Sequence, residues 1–235
     1  MCNKSVMFAA VLAMLCMDSA LAQSAERRDS GFYMGLGIGR SNANLKSSDF
    51  STGDPAFKES KDETDTSYKA YIGWRFNRYL ATELHYTNLG TYKYFYSIDL
   101  GGADLSKSRV DYSAVSWAGS VVGTIPITGG LSVFGRGGVS FNRANRSALQ
   151  GDFKTTPEVP AASKDRWSGM GGIGLQYDFT REVAARLEYE YLGRFGESRG
   201  PGTPVSVTGP GSANFPDNTG QAQLYAWTLS AMWRF

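Results

Sequence analysis

Residues 225–235 read Tyr225-Ala226-Trp227-Thr228-Leu229-Ser230-Ala231-Met232-Trp233-Arg234-Phe235, and this stretch decides the fold. Side chains alternate along an extended strand, so Tyr225, Trp227, Leu229, Ala231, Trp233 and Phe235 share one face. Ala226, Thr228, Ser230, Met232 and Arg234 share the other. Two Trp, a Tyr and a Phe pointing one way would be an aggregation hazard on a soluble edge strand. The same face suits a strand that meets hydrocarbon between two aromatic girdles.

The beginning of the chain agrees with an exported protein. Lys4 precedes the apolar run 6–15, and Ala20-Leu21-Ala22 supplies the small residues that signal peptidase requires, so residues 1–22 read as a signal peptide. A lipoprotein would be anchored at Cys16, but Leu15 stands where a lipobox needs a small side chain. Both cysteines, Cys2 and Cys16, fall in the removed segment, which excludes disulfides and Cys-ligated metals from the mature protein. The formal charge of +2 is unchanged by losing Lys4 and Asp18 and is too small to argue for a nucleic-acid partner. After residue 22 no apolar stretch approaches the roughly 18 residues of a membrane helix. Any membrane segment is therefore β.

Residues 23–30 form a short polar lead, and 31–235 read as one β-barrel domain. Phe32, Met34, Leu36 and Ile38 alternate with Tyr33, Gly35, Gly37 and Gly39, giving a strand with one apolar face and one nearly bare face. Residues 42–66 read as a long loop. A hairpin follows: Tyr68, Ala70, Ile72, Trp74 and Phe76 share a face, and after 77–79 the pattern resumes as Leu80, Thr82, Leu84 and Tyr86. Residues 88–108 are a second long connection, with 92–96 extending a strand above the membrane. The fourth strand, 112–125, has Val115, Trp117, Gly119 and Val121 outward, and Tyr112 and Ala114 at the other parity mark a bulge. After the turn 126–130, Leu131, Val133, Gly135, Gly137, Val139 and Phe141 face out. A third long loop, 143–165, leads to a hairpin around 180–182, and a fourth, 195–222, to the closing strand.

Long and short connections thus alternate around eight strands, the pattern of an up-and-down outer-membrane barrel with long loops outside and tight turns in the periplasm. An even strand count puts both termini at the periplasmic side. Trp74, Phe76, Tyr177, Phe179, Trp233 and Phe235 align as a lower aromatic girdle, and Tyr68, Tyr86, Trp167, Tyr189 and Tyr225 as an upper one.

Residues 32–39, the run 73–84 (Gly-Trp-Arg-Phe-Asn-Arg-Tyr-Leu-Ala-Thr-Glu-Leu), the stretch 134–139 and the ending Trp233-Arg234-Phe235 resemble the OmpA-type transmembrane barrel and the related opacity-type surface proteins. The resemblance implies a non-enzymatic surface protein and an assembly signal in the last strand, carried by Tyr225, Trp227, Leu229, Trp233 and Phe235 and read by the barrel assembly machinery. The larger family members carry a peptidoglycan-binding domain after the barrel; this chain is expected to lack it.

The glycines of Gly169-Met170-Gly171-Gly172-Ile173-Gly174 match the spacing of a dinucleotide loop, but they lie in a strand pattern with no helix after them. Room for large side chains on neighbouring strands explains them better. His85, the only histidine, points inward with no serine nucleophile beside it, so no catalytic residue is assigned. Asp62, Glu63 and Asp65 read as a solvated charge run, and neither a metal nor a cofactor is expected.

The inward charges carry the strongest physical argument. An eight-stranded barrel barely holds its own side chains, so Lys69, Arg75, Glu83, His85, Arg136, Arg186, Glu188 and Glu190 must pair rather than hydrate separately. Hairpin symmetry places Glu83 opposite Gly73, Glu188 opposite Gly174 and Glu190 opposite Gly172, leaving empty positions into which basic chains can reach. Arg136 and Glu188 stand at equal height and are expected partners.

Three functions compete. The leading one is an outer-membrane barrel displaying four surface loops for envelope integrity and for adhesion or immune resistance, as the resemblance implies. A small porin or gated channel is the second, and an outer-membrane lipid-modifying enzyme the third, lacking a catalytic set. Expected partners are outer-membrane lipids and lipopolysaccharide, the assembly machinery, and a host-surface or envelope ligand of the loops; the chain is expected to be a monomer.

Overall fold

The structure, a computed structural model, describes residues 30–45, 57–99, 105–148, 150–151, 155–156, 161–197, 203–207, 212–215 and 220–235. The expected signal peptide, and all of the lead except Ser30, lie outside the described residues. Eight long strands follow in order: β1 (Gly31–Leu45), β2 (Thr64–Arg75), β3 (Leu80–Asp99), β4 (Leu105–Thr128), β5 (Leu131–Arg146), β6 (Ala162–Asp178), β7 (Val183–Glu197) and β8 (Gly220–Arg234). Each pairs antiparallel with the next, and β8 pairs with β1 from Tyr33↔Arg234 to Leu45↔Ala222, which closes the sheet into a barrel without edges.

The short connections 76–79, 129–130 and 179–182 all lie at one end, together with both ends of the barrel chain. Gly129 and Gly130 have φ of 55° and 85°, and Leu131 pairs with Thr128. Positive φ at both central residues is the type I′ turn that matches strand twist, and only glycine adopts it without strain.

Parity dictates what each strand shows to lipid. Leu36, Ile38, Ile72, Leu84, Trp117, Val121, Leu187, Trp227 and Leu229 are exposed on the outer face. Aromatic pairs mark its margins: Tyr177 with Phe179 (5.0 Å between ring centroids) and Phe32 with Phe235 (6.1 Å) below, Tyr86 with Trp117 (4.7 Å) and Phe141 with Trp167 (5.1 Å) above.

The strands exceed the expected lengths. β4 has 24 residues and β3 has 20, about twice the roughly 9–11 residues that cross a membrane, so this hairpin stands well clear of the outer leaflet. Parts of the expected loops are therefore strand: β1 continues to Leu45, and Phe57–Asp62 pairs with the upper part of β3. Within the fourth long connection, Thr203–Val207 pairs on one side with Ser212–Phe215 and on the other with Thr155–Thr156 of the third, in a separate small sheet.

The expected bulge at Tyr112 and Ala114 is absent. Both residues are buried and keep the inward parity of Ser116, Ala118, Ser120 and Val122. The register shift lies on the neighbouring strand, between Asn88 and Thr91, and a matching one lies between Tyr191 and Gly193. Gly90 and Gly193 have φ of 82° and 88°, which explains why each bulge carries glycine. Asp65 accepts from the Thr91 amide (2.6 Å) at the first bulge, and Ser168 brackets the second, accepting from the Arg194 amide (3.1 Å) and donating to its carbonyl (2.9 Å).

Candidate functional site

The lumen contains every inward charge expected except Arg75, which lies half-buried at the short-turn end. Lys69, Glu83, His85, Arg136, Arg186, Glu188 and Glu190 are all buried in mid-barrel. They converge from four strands, β2, β3, β5 and β7, because strand parity aims each one at the axis.

Arg136 is the hub. Its Nη2 lies 2.7 Å from Glu83 Oε2 and 2.8 Å from Glu188 Oε2, and its Nη1 lies 3.1 Å from Glu190 Oε1. Lys69 pairs with Glu188 and, at 2.6 Å, with Glu190. Arg186 pairs with Glu83 through Nη1 and donates from Nε to Gln176 (2.8 Å). Tyr33 donates its hydroxyl to Glu83 Oε1 at 2.7 Å. His85 sits 3.4 Å from Arg136 Nη1 through Nδ1, between the cations and Glu190. Three cations thus meet three carboxylates, so the formal charges of the tier balance.

Of the three glycines opposite the carboxylates, one admits a basic chain as expected and two admit aromatic rings instead. The registers Gly73↔Glu83, Gly174↔Glu188 and Gly172↔Glu190 are those expected. However, the space over Gly73 is filled by the ring of Tyr33 and that over Gly174 by the ring of Phe134. Only over Gly172 does a basic chain pass, with Arg136 Cγ 3.3 Å from where a Cβ would stand. The rings box in Arg186, whose guanidinium lies 5.3 Å from the Tyr33 ring, 5.4 Å from Tyr71 and 5.0 Å from Phe134. Selecting network members by charge missed these aromatic residues, although their inward parity was readable. It also missed the ion pair of Arg234 with Asp178 at the base of the barrel.

Above the charged tier lies an apolar one. Leu89, Tyr92, Tyr112, Leu192, Phe195 and Leu224 are fully buried inside the upper barrel. The two bulges place Leu89 and Leu192 there, and Ser140 Oγ and Asn142 Nδ2 hold the Leu192 carbonyl at 2.7 and 2.8 Å. Burial raises the hydroxyls of Tyr92 and Tyr112 above the ordinary phenol range, so both stay neutral.

Other expected features have structural roles. Gly169, Gly171, Gly172 and Gly174 lie within β6, where Gly169 faces open space outside the barrel and Gly174 admits Phe134. Asp65 caps the first bulge, and Glu63 accepts from the Leu45 amide at 2.8 Å, so neither belongs to a merely solvated run. In the closing strand, Phe235 and Trp227 project outward, 66% and 56% exposed.

Residues 27–214 match the OmpA-like transmembrane domain family. The chain belongs to that family. Its OmpA-like barrel is 26% identical over 204 residues to Outer membrane protein P5 of Haemophilus influenzae, covering 83% of this chain and 53% of that protein. The P5 of strain Rd matches at 29% over 120 residues, or 32% of its length. The chain thus spans about half the length of these relatives, or less. Neisserial surface protein A superposes with a TM-score of 0.50 at 14% identity, over 88% of this chain and 99% of that one, which shows the shared fold. The protein is accordingly an eight-stranded outer-membrane barrel of a Gram-negative envelope.

Proposed function

We propose that this OmpA-like barrel is non-enzymatic and works through the surface it raises above the outer leaflet, in envelope integrity and in adhesion or immune resistance. The observation that carries the reading is the division of the molecule. Below, the lumen is filled by a charge-balanced tier under an apolar tier. Above, β3 and β4 extend about twice as far as a membrane crossing requires.

A filled lumen favours this reading over a small porin, since a pore needs a continuous water path that an eight-stranded barrel has little room to provide. Lipids and lipopolysaccharide surround the apolar belt, the assembly machinery reads the last strand, and the loops meet a host-surface or envelope ligand, each loop acting from a rigid scaffold.

Adhesion of bacteria producing the intact protein, compared with bacteria producing barrels shortened in each long connection, tests the reading. Loss of host-cell adhesion with at least one deletion, at equal surface levels, is expected. Full adhesion by barrels lacking all four would contradict it.

A further inference from the structure

The outer face passes from lipid to solvent differently on the two sides of the barrel. On β7 and β8 the upper margin is a cluster of four rings. Tyr189 lies 4.6 Å from Trp227 and stacks on Tyr225 at 6.0 Å with an interplanar angle of 11°, and Tyr191 lies 5.2 Å from Tyr225. Strand pairing sets polar groups around the rings. On β1, Arg40 stands opposite Trp227 and Asn42 opposite Tyr225. One outward position higher, Gln223 is flanked by Asn44 on β1 and Arg194 on β7. Directly paired residues on one face lie close enough for their side chains to act together. Rings, carboxamides and two guanidiniums therefore share one patch, and none of these outward positions carries a carboxylate.

The opposite margin lacks that combination. A row of rings, Tyr86, Trp117, Phe141 and Trp167, runs across β3 to β6. The guanidinium just above it, that of Arg143, is held by Asp165 at 2.7 and 2.8 Å. Arg40 instead donates to Thr64 Oγ1 at 3.2 Å, and neither it nor the exposed Arg194 pairs with a carboxylate among the described residues. The chemistry of the first patch is that of sugar and phosphate recognition. The face of an aromatic ring carries partial negative charge, which suits the C–H face of a sugar. Carboxamides both donate to and accept from hydroxyls, and the planar fork of a guanidinium matches two oxygens of a phosphate.

We infer that this patch on β7, β8 and β1 binds the phosphorylated saccharide headgroup of outer-leaflet lipopolysaccharide, with a sugar on the rings and phosphate groups on Arg40 and Arg194. The patch is continuous with the lipid belt: Ile38 and Leu229, a directly opposed pair exposed on the outer face, lie one outward position below Arg40 and Trp227. Tyrosine and tryptophan at such a margin stand at the level of the headgroups, so a headgroup anchored by its acyl chains is within reach. The site rests on the reading that lipopolysaccharide surrounds the belt, and it is independent of the long connections.

The test uses the full mature barrel refolded in detergent micelles and titrated with lipopolysaccharide lacking its O-chain or, separately, with phosphatidylglycerol, an anionic lipid without a sugar ring. The indole N–H resonance of Trp227 reports the patch, and that of Trp117 reports the opposite margin. Lipopolysaccharide should shift Trp227 saturably, with a midpoint about tenfold lower than at Trp117 and about tenfold lower than phosphatidylglycerol gives at Trp227. Arg40→Gln together with Arg194→Gln should raise the lipopolysaccharide midpoint at Trp227 about tenfold, the scale of one or two charge-assisted hydrogen bonds. Arg143→Gln should leave it unchanged. The comparison of the two lipids needs no variant, so it decides the matter even where a variant fails to refold. Equal lipopolysaccharide midpoints at Trp227 and Trp117 would overturn the site while leaving lipopolysaccharide around the belt, and no shift at either would overturn both. Matching midpoints for the two lipids, or a double variant that binds as tightly as the parent, would also overturn the site.

Discussion

At the residue scale the account rests on Arg136, which touches all three luminal carboxylates. Removing one member of a buried ion pair typically costs roughly 3–5 kcal/mol because the partner is left charged and dry. Arg136→Ala leaves Glu83 to Arg186 and makes Glu188 and Glu190 share Lys69 as their one remaining cation, whereas Glu188→Ala leaves Lys69 with Glu190 and Arg136 with two partners. Urea unfolding in detergent should show the larger loss for Arg136→Ala and a double variant that recovers part of it. A double-mutant cycle without coupling would reject the direct pair. Glycines supply an independent test. A Cβ on Gly174 would collide with the Phe134 ring, while one on Gly137 meets nothing within 4 Å. Gly174→Ala should therefore destabilise, and Phe134→Leu should recover only part of the loss because the Leu187 carbonyl oxygen also stands 2.5 Å from that Cβ; Gly137→Ala should leave the unfolding midpoint unchanged or slightly raised.

Outside the bilayer, Arg143 holds Asp165 in a two-point contact at 2.7 and 2.8 Å, and these hydrogen bonds keep the Asp165 carboxyl below its usual range. A lowered carboxyl adds stability above its unfolded pKa and loses it as pH falls through the folded value. Both side chains are well exposed, so water screens the pair. Asp165→Asn should leave both the urea midpoint and its dependence on pH indistinguishable from the parent. A midpoint that drops at neutral pH would show that the pair does more than the geometry allows.

Among the elements, hairpins were the most legible, because alternating parity and short turns identify them without tertiary information. The extensions were not. Above the upper girdle the outward face turns polar, so 42–66 looks like loop although its inward residues Ala43 and Leu45 are buried. The bulges were hidden for a related reason: one extra residue reverses parity, and Leu89-Gly90 in β3 and Leu192-Gly193 in β7 then resemble strand ends. For the charged tier, parity showed which side chains enter the lumen. Partners could not be read fully, because shear offsets heights between strands and uncharged rings take the spaces that basic chains were expected to use.

In the closing strand, assembly and stability can be tested separately. Phe235 exposes most of its ring, which lies 6.1 Å from that of Phe32, and its amide N–H donates a hydrogen bond to the Phe32 carbonyl at 3.0 Å. It is thus one outward contact among many, whereas we propose that the assembly machinery reads the aromatic face of this strand. Deleting it should lower the folded yield in cells and leave refolding in detergent largely intact; equal losses in both assays would refute the distinction.

On the scale of the whole molecule, closure of β8 onto β1 leaves no free sheet edge, so every luminal side chain must be satisfied within a narrow tube. The three levels of the tube solve this differently. Rings enclose Arg186 at the bottom, balanced ion pairs fill the middle, and bulge-directed leucines and tyrosines seal the top. Each level depends on the others, since an apolar cap over unpaired charges would be as costly as a charged tier left open to ions. We propose that this interior is shut. Single-channel recording of the unmutated barrel in planar bilayers tests it most directly: the account predicts no steady ion conductance, and a large steady conductance would contradict it.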